Sequence, residues 1–256
     1  MNAPLRLSVQ LYTLRQQTEI DFARTLRDVA KIGFAGVELA GFGNLRTACD
    51  VRKALDDAGL VASGAHVPIE TMESNLSRVM DDFDEIGTKL LIVPWLDVAR
   101  RGSADAWKKL ANTLTSFAMM ARQRGFTIAY HNHDFEFERV NGQHALDLLW
   151  QHTDPSLVKC ELDLHWVARA GLDPIRYLRQ IGPTRLAAVH LKDQDKTDPT
   201  RFAPVGSGTI DFPNVLAALH EFGTPWGVVE QDDCYGEPPL ECIRRSYAYL
   251  ASQLQR

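Results

Sequence analysis

The chain has 256 residues, of which 45% are hydrophobic and 24% are charged, and its formal net charge is −5. These proportions are typical of a folded globular protein and exclude a disordered chain. The acidic balance argues against a general nucleic-acid-binding surface, which needs a basic footprint. No stretch approaches about 18 consecutive apolar residues, so we expect no membrane span and no membrane partner.

The N-terminus and the cysteines predict a cytoplasmic protein. Residues 1–6 lack the basic-then-apolar order of a secretory signal peptide. The four cysteines include no Cys-x-x-Cys pair; they are Cys49, Cys160, Cys234 and Cys242. This spacing does not indicate a disulfide framework or a thiolate zinc site, so we expect reduced and mostly buried thiols.

Short apolar segments rich in β-formers alternate with longer helical patterns along the chain. The predicted strands are residues 6–11, 36–39, 61–65, 90–93, 127–132, 158–163, 186–191 and 226–230. The predicted helices, with apolar residues at three- and four-residue steps, are 21–32, 49–58, 72–86, 104–124, 145–151, 173–181, 212–222 and 239–253. Glycines directly after helical stretches, such as Gly33 and Gly87, predict left-handed helix ends.

Eight strand–helix units predict an α/β fold, a single-domain (β/α)8 TIM barrel over residues 1–256. Strict alternation implies a parallel sheet with helical crossovers. The units average about 32 residues, and eight of them in about 250 residues is the size of a closed barrel. A doubly wound open sheet is the alternative, but it favours a glycine-rich turn after the first strand, and residues 11–15 contain no glycine.

Chemically active residue types collect at the ends of the predicted strands, where the active site of such a barrel lies. They are Glu38, His66, His131, His133, Asp163, His165, His190, Lys192, Glu230 and Asp232. Because side chains alternate along a strand, residues two apart share a face. If Asp163, His190 and Glu230 face inward, adjacent strands deliver them to one point, and His131 completes a set of four.

This mixed set of imidazoles and carboxylates predicts one divalent metal ion. Mn²⁺ or Zn²⁺ suits it best, with Co²⁺ or Fe²⁺ as further options. Taken alone, any one of these histidines is more typical of a strand-end residue that is hydrogen-bonded within the protein than of a metal ligand. Four such groups converging from consecutive strands would be costly without a cation, because buried charges need partners.

The chain resembles the xylose isomerase-like barrels of the sugar phosphate isomerase and epimerase family. Six segments in order carry the resemblance: GFAGVE at 33–38, YHNHDFEF at 130–137, LDLHW at 162–166, VHLKD at 189–193, VGSGTIDF at 205–212 and VEQD at 229–232. The resemblance implies one divalent ion held by Glu, Asp, His and Glu at the ends of strands five to eight. The last three match Asp163, His190 and Glu230.

At the first of these positions the chain departs from the family pattern, because His131 replaces the glutamate. This puts a symmetric epimerisation by two glutamates in doubt. The variant resembles the inosose dehydratase-like and keto-glycoside-processing branch. Glu136 would be an alternative acidic ligand if the loop after His133 folded inward.

The resemblance and the metal set together imply an isomerase or epimerase acting on a sugar or keto-sugar. A base removes a proton next to a carbonyl, and the metal stabilises the enediolate. Glu230 is the first candidate base, and His131 and His133 are the second. Substrate oxygens are expected to contact Glu38, His66, His165 and Lys192, although strand-end salt bridges are the alternative interpretation of the charged ones.

Other functions remain open at this point. The same intermediate allows a lyase, dehydrating a keto-inositol or acting on a 3-keto-glycoside. A non-catalytic sugar-binding barrel and a Schiff-base aldolase using Lys192 are further alternatives, whereas an abasic-site endonuclease needs more zinc ligands. Residues 206–208 (Gly-Ser-Gly) either bind phosphate through backbone N–H groups or, as we favour, only close a loop. The expected partner is a small-molecule sugar, and homo-oligomers are common among barrels of this size.

Overall fold

A closed barrel of eight parallel strands forms the centre of the computed structural model, which describes residues 5–255. The strands are β1 (Arg6–Gln10), β2 (Gly36–Leu39), β3 (Val61–His66), β4 (Leu90–Val93), β5 (Thr127–His131), β6 (Val158–Asp163), β7 (Leu186–Leu191) and β8 (Trp226–Val229). Each strand pairs in parallel with its neighbours in chain order, and β8 pairs with β1 to close the barrel. The predicted TIM barrel is therefore confirmed.

Helices connect the strands. They are α1 (Arg15–Ile32), α2 (Ala48–Ala58), α3 (Ile69–Ile86), α4 (Ala104–Ala121), α5 (Ala145–Gln151), α6 (Leu164–Arg169), α7 (Pro174–Arg185), α8 (Phe212–Phe222) and α9 (Pro239–Leu254). Short antiparallel pairs, 139–140 with 143–144 and 193–194 with 202–203, extend two of the loops. Among residues 5–255, no helix is long and apolar enough to cross a membrane. The predicted domain ends and most of the N-terminal segment lie outside the described residues.

Helices α1 and α3 begin three or more residues earlier than predicted, and each contains an internal kink with its own capping residue. Helix α1 begins at Arg15, and the predicted start, Asp21, lies at a kink where its φ is −155°. The Asp21 carboxylate accepts a hydrogen bond from the Arg24 N–H, as an N-cap does. Asn75 has the same role inside α3. In α1 the predicted start therefore marks a kink, whereas the predicted start of α3, residue 72, lies before its kink.

Helix α6 is absent from the sequence prediction because it follows β6 without a turn. The Asp163 side chain, at the end of β6, accepts the Trp166 N–H at 3.1 Å and caps the helix. The backbone thus turns sharply at Asp163, and the Asp163 carboxylate is held at the carboxyl end of the barrel strands.

Candidate metal and active site

Strand register decides which predicted residues are level with each other at the carboxyl end of the barrel. His131 at the end of β5 pairs with Glu161 in β6, and Asp163, two residues later, pairs with His190 in β7. Glu230 follows the last residue of β8. All five side chains are at most 5% exposed. The barrel therefore brings these imidazoles and carboxylates together with very little of their surface exposed to solvent.

These residues form two groups of potential metal ligands that share one histidine. The first, which we call the histidine group, consists of His66, His131, Glu161 and His190. The second, the acidic group, consists of Asp163, His190 and Glu230. Within each group, one ligand atom from every residue lies within 4.8 Å of the others.

His190 joins the two groups through its two ring nitrogens. Its Nδ1 lies 2.9 Å from Glu230 Oε2, and its Nε2 lies 3.2 Å from Glu161 Oε2. His131 Nε2 lies 3.8 Å from Asp163 Oδ2. The four predicted ligands are thus neighbours, but the His131 Nδ1 atom faces Glu161 at 3.1 Å.

Glu161 is the potential ligand that the sequence analysis missed. Its Oε2 lies 2.8 Å from His66 Nε2 and within hydrogen-bond distance of His131. Glu161 lies two residues before Asp163, so the alternation of side chains along a strand could have placed it on the same face.

Lys192 lies inside the acidic group. Its Nζ is 2.9 Å from Asp163 Oδ2 and 2.7 Å from Glu230 Oε2, and it also contacts Asp232 at 3.1 Å. Burial opposes the charged form of Lys192, but these three carboxylates outweigh burial and hold the pKa of the ammonium well above its usual range. A permanently charged lysine is a poor nucleophile, which argues against the Schiff-base alternative.

The donor atoms fit a divalent cation. The cluster contains five carboxylates, Glu38, Glu161, Asp163, Glu230 and Asp232. Glu38 Oε2 and Glu161 Oε1 are buried without a hydrogen-bond partner. Asp163 Oδ2 also lacks one in hydrogen-bond geometry, although Lys192 lies close to it. Buried charges without partners are costly, and mixed nitrogen and oxygen donors suit borderline divalent ions.

Protonation of groups within the cluster partly offsets the negative charge of these carboxylates. Burial opposes the charged form of His66, yet Glu38 and Glu161 outweigh it and raise the pKa of His66 to about 9. Burial, together with the charge of Glu38, raises the pKa of Glu161. Burial and the neighbouring His190 hold the pKa of His131 well below its usual range. The carboxylates of the cluster therefore compete for the available positive charge.

A cavity of about 720 Å³ opens above the cluster. Its polar lining is His66, His131, His133, Lys192, Glu230 and Asp232. Its aromatic lining is Tyr12, Trp95, Trp166 and Phe202. The three predicted catalytic residues therefore face one cavity, and so do two of the predicted substrate contacts.

The other two predicted substrate contacts, Glu38 and His165, lie behind the cavity wall and are fully buried. Glu38 Oε1 accepts a hydrogen bond from Gln10 at 2.7 Å and lies 2.8 Å from His190 Nε2. His165 Nδ1 lies 3.1 Å from the Asp193 carbonyl oxygen. Neither side chain is among those that line the cavity, so contact of Glu38 or His165 with a substrate stays a prediction.

Glu136 belongs to neither ligand group. Its two carboxylate oxygens accept hydrogen bonds from the Tyr130 hydroxyl and the His133 backbone N–H, both at 2.7 Å. Burial raises the pKa of Glu136 to about 8. The loop after His133 thus holds Glu136 against Tyr130, and the alternative that this loop supplies the acidic ligand is not supported.

The glycine-containing loop at 206–208 binds an internal carboxylate. Asp193 Oδ2 accepts the backbone N–H groups of Gly206 and Gly208 at 2.9 and 2.8 Å, and Oδ1 accepts that of Ile210. The N–H groups that could have bound a phosphate are therefore directed at Asp193, as the loop-closure interpretation expects.

Comparison with known proteins agrees with this architecture. The family model described as xylose isomerase-like TIM barrel matches residues 26–253. An inosose dehydratase from Clostridium beijerinckii is 27% identical over 271 residues, covering 91% of this chain and 89% of that protein. The resemblance predicted from the six sequence segments is confirmed.

Solved structures show the same fold. A sugar phosphate isomerase/epimerase from Parabacteroides distasonis superposes with a TM-score of 0.84 at 25% identity, covering 98% of this chain and 94% of that one. The IOLI protein, whose structure contains a zinc atom, has a TM-score of 0.76 at 15% identity, covering 98% of both chains.

Proposed function

The chain belongs to the xylose isomerase-like TIM barrel family, and on that premise we propose that it is a divalent-metal-dependent enzyme of sugar chemistry. Its reaction starts with removal of a proton from the carbon beside the carbonyl of a sugar or keto-sugar. Return of the proton to the opposite face gives an epimerase, and return to the neighbouring carbon gives an isomerase.

One observation carries this proposal. His131, Asp163, His190 and Glu230 lie close together in a cluster whose carboxylates outnumber its permanent cations. Of the four, His131 and Glu230 line the cavity, and Asp163 and His190 lie behind them. Unpartnered buried carboxylate oxygens in the same cluster support a bound cation. When bound, a divalent ion polarises a carbonyl oxygen and stabilises the negative charge left by proton removal. Zn²⁺ and Mn²⁺ are the first ions to test.

The side chains that line the cavity have distinct proposed roles. Glu230 Oε2 accepts the substrate proton, and the Lys192 ammonium at 2.7 Å stabilises the ionised form of this carboxylate. His133 lines the cavity with a buried Nδ1 that has no protein partner, and it is the second candidate for moving a proton. His66 and Lys192 bind substrate oxygens, since both reach the cavity. Glu38 positions His66 and His190 from behind.

A dehydratase acting on a keto-inositol is the second candidate function. The relative from Clostridium beijerinckii, similar over nearly the whole chain, is an inosose dehydratase, which favours this reading. Proton removal by Glu230 is then followed by loss of a hydroxyl from the next carbon. Glu230 then returns this proton to the hydroxyl, which leaves as water, and Lys192, in contact with Glu230, is placed to donate a hydrogen bond to the departing oxygen.

Metal content per chain tests the first step. We expect about one Zn, Mn, Co or Fe per tag-free wild-type chain and its loss in Asp163→Ala. Asp134→Ala is the matched control, because this half-exposed carboxylate pairs with Arg169 outside the cluster. No binding of any of these ions by the wild-type protein after incubation with each would refute the proposal.

Solvent exchange then tests the chemistry. Keto-sugars and keto-inositols incubated in D₂O with the loaded enzyme are expected to gain deuterium beside the carbonyl. An epimer of unchanged composition identifies the first function, and an unsaturated ketone formed with loss of water identifies the second. Binding of these compounds without exchange would favour a non-catalytic sugar-binding barrel.

A further inference from the structure

A short hairpin, residues 193–203, forms one wall of the cavity. Its strands, 193–194 and 202–203, pair antiparallel, and residues 195–201 connect them as its tip. The Phe202 ring lines the cavity, and its centre lies 5.5 Å from Lys192 Nζ. The same ring packs on His165, with 4.4 Å between the ring centres, and His165 is fully buried. Phe202 therefore helps to bury both Lys192 and His165.

The tip of this hairpin buries little surface. Of its seven residues, five are exposed and none is buried. The Asp195 and Asp198 carboxylates accept hydrogen bonds from backbone N–H groups within the tip itself. Segments with few buried contacts belong to the least stable part of a fold. The tip can therefore move as a unit without disturbing the core of the barrel.

Few groups attach the hairpin to its surroundings. Among residues 5–255, two side chains from outside the hairpin form hydrogen bonds to residues 195–202. The Tyr235 hydroxyl accepts the Phe202 backbone N–H at 3.0 Å, and Arg169 donates to the Thr200 carbonyl oxygen at 2.8 Å. The Arg201 guanidinium also lies 3.9 Å from the centre of the Tyr235 ring. Tyr235 thus holds the hairpin through two contacts, one of them to Phe202 itself.

The backbone conformation of Tyr235 favours release of these contacts. Its φ of +50° lies in the left-handed region, which a bulky residue rarely adopts. Such a conformation persists only where surrounding contacts hold it, and it is concentrated at functional segments. A cavity of about 390 Å³, lined by Tyr235 and by Arg15 and Gln17 of α1, lies beside the same loop. The loop therefore has space to relax when the contact with Phe202 breaks.

We propose that the hairpin is a flap over the base of the cavity, and that Tyr235 is the positioning residue that holds this flap closed. In the closed position Phe202 shields the contact between Lys192 and Glu230 from water, which strengthens electrostatic interactions at the base. In the open position, water and small molecules reach the base past Phe202. Such gating controls entry and release in many enzymes.

His165 reports whether the flap opens. Its Nδ1 lies 3.1 Å from the Asp193 carbonyl oxygen, to which it donates, so Nε2 carries the lone pair. Nε2 is buried without a hydrogen-bond partner. Diethyl pyrocarbonate acylates neutral imidazole nitrogens of this kind, and it reaches His165 when Phe202 moves away. His152, at an exposed position after α5, calibrates the reagent in every sample.

The initial rate of His165 acylation in the protein as purified tests the proposal. Mass spectrometry measures it in the tryptic peptide of residues 160–169, which contains no other histidine. Tyr235→Phe removes only the acceptor hydroxyl and should raise the rate about fivefold, the effect of losing one net hydrogen bond. Tyr235→Ala also removes the ring that contacts Arg201 and should raise it further. Tyr247→Phe, the matched control, should keep the wild-type rate, because Tyr247 packs on Phe34 away from the hairpin.

Four results would overturn the proposal. The first is an unchanged His165 rate in both Tyr235 variants, and the second is an equal rise in Tyr247→Phe. The third is no acylation of His165 in any variant when His152 is fully modified. The fourth is a rise that only accompanies a lower melting temperature, which would assign the exposure of His165 to loosening of the whole barrel.

This inference goes beyond the proposed function and does not depend on its chemistry. The acylation rates are measurable whether or not the chain binds a metal, so a failure of the proposed function leaves the test intact. A flap that stays closed would leave the proposed function standing, because the cavity has another opening. Tyr12 and Trp95 line the cavity there and are 46% and 47% exposed.

Discussion

Replacement of Lys192 by methionine tests whether its ammonium neutralises the acidic group. The side chain is 1% exposed and lies 2.9 Å from Asp163 Oδ2 and 2.7 Å from Glu230 Oε2. Methionine preserves most of the volume but leaves two buried carboxylates without this partner. Removing one member of a buried ion pair costs about 3–5 kcal/mol. We expect the lower end, because Glu230 keeps its contact with His190.

The expected loss is therefore about 3 kcal/mol in the free energy of unfolding of the metal-free protein. At about 2–4 °C per kcal/mol for a chain of this size, the melting temperature should fall by about 6–12 °C. Denaturant unfolding and calorimetry in the presence of a chelator measure both quantities. A divalent ion at about 100 times its Kd should recover about 2.7 kcal/mol if the ion takes the place of the ammonium.

Lys89→Met is the matched control, because Lys89 pairs with Asp84 at an exposed position. Exposed pairs contribute about 0–1 kcal/mol, so this variant should be nearly as stable as the wild type. If Lys192→Met lost no more stability than Lys89→Met, the ammonium would not be required by the carboxylates, and the charge argument for the cation site would fail with it.

Three further predictions concern the groups around the site. Burial raises the pKa of Glu136 from 4.5 to about 8, so the folded protein keeps a proton that the unfolded chain releases. The free energy of unfolding should therefore fall as the pH rises from 4.5 to about 8. Denaturant titrations should show a smaller fall in Glu136→Gln, and an equal fall would contradict the assignment of this proton to Glu136. Gly208→Ala should cost about 2 kcal/mol, because a Cβ would overlap the Gln194 backbone carbonyl oxygen and the Asp193 carboxylate. A similar shift of the urea midpoint in Gly102→Ala, where a Cβ would enter open space, would argue against a specific clash. Arg185→Lys should lower the free energy of unfolding by about 3 kcal/mol, since the buried guanidinium donates four hydrogen bonds. If calorimetry gave this variant the same melting temperature as the wild type, these hydrogen bonds would be replaceable.

Much of the fold follows from local patterns in the sequence. The predicted bounds of β2, β4, β6 and β7 agree with the structure, because apolar β-forming runs are bounded by residues that end helices or begin turns. Gly33 and Gly87 end α1 and α3 with positive φ, as predicted. Helix α6 escaped prediction, since Asp163 is at once the end of a strand and the cap of that helix.

The site was predictable in part. Alternation along each strand identified Asp163, His190 and Glu230 as side chains of one face, and the structure brings them together. The same rule applied to β6 could have added Glu161. Alternation does not state how deep a residue lies in the barrel, so Glu38, behind the cavity, could not be separated from His66, which lines it.

By itself, the sequence determined the eight strand–helix units and the residue types at the strand ends, because periodicity and helix-end signals are properties of a few neighbouring residues. Only the tertiary structure decided which of those residues meet. The register between β5 and β6 sets His131 level with Glu161, and the stem of Lys192 directs its ammonium between Asp163 and Glu230. Register depends on the tilt and shear with which the whole barrel closes, and no local pattern specifies these.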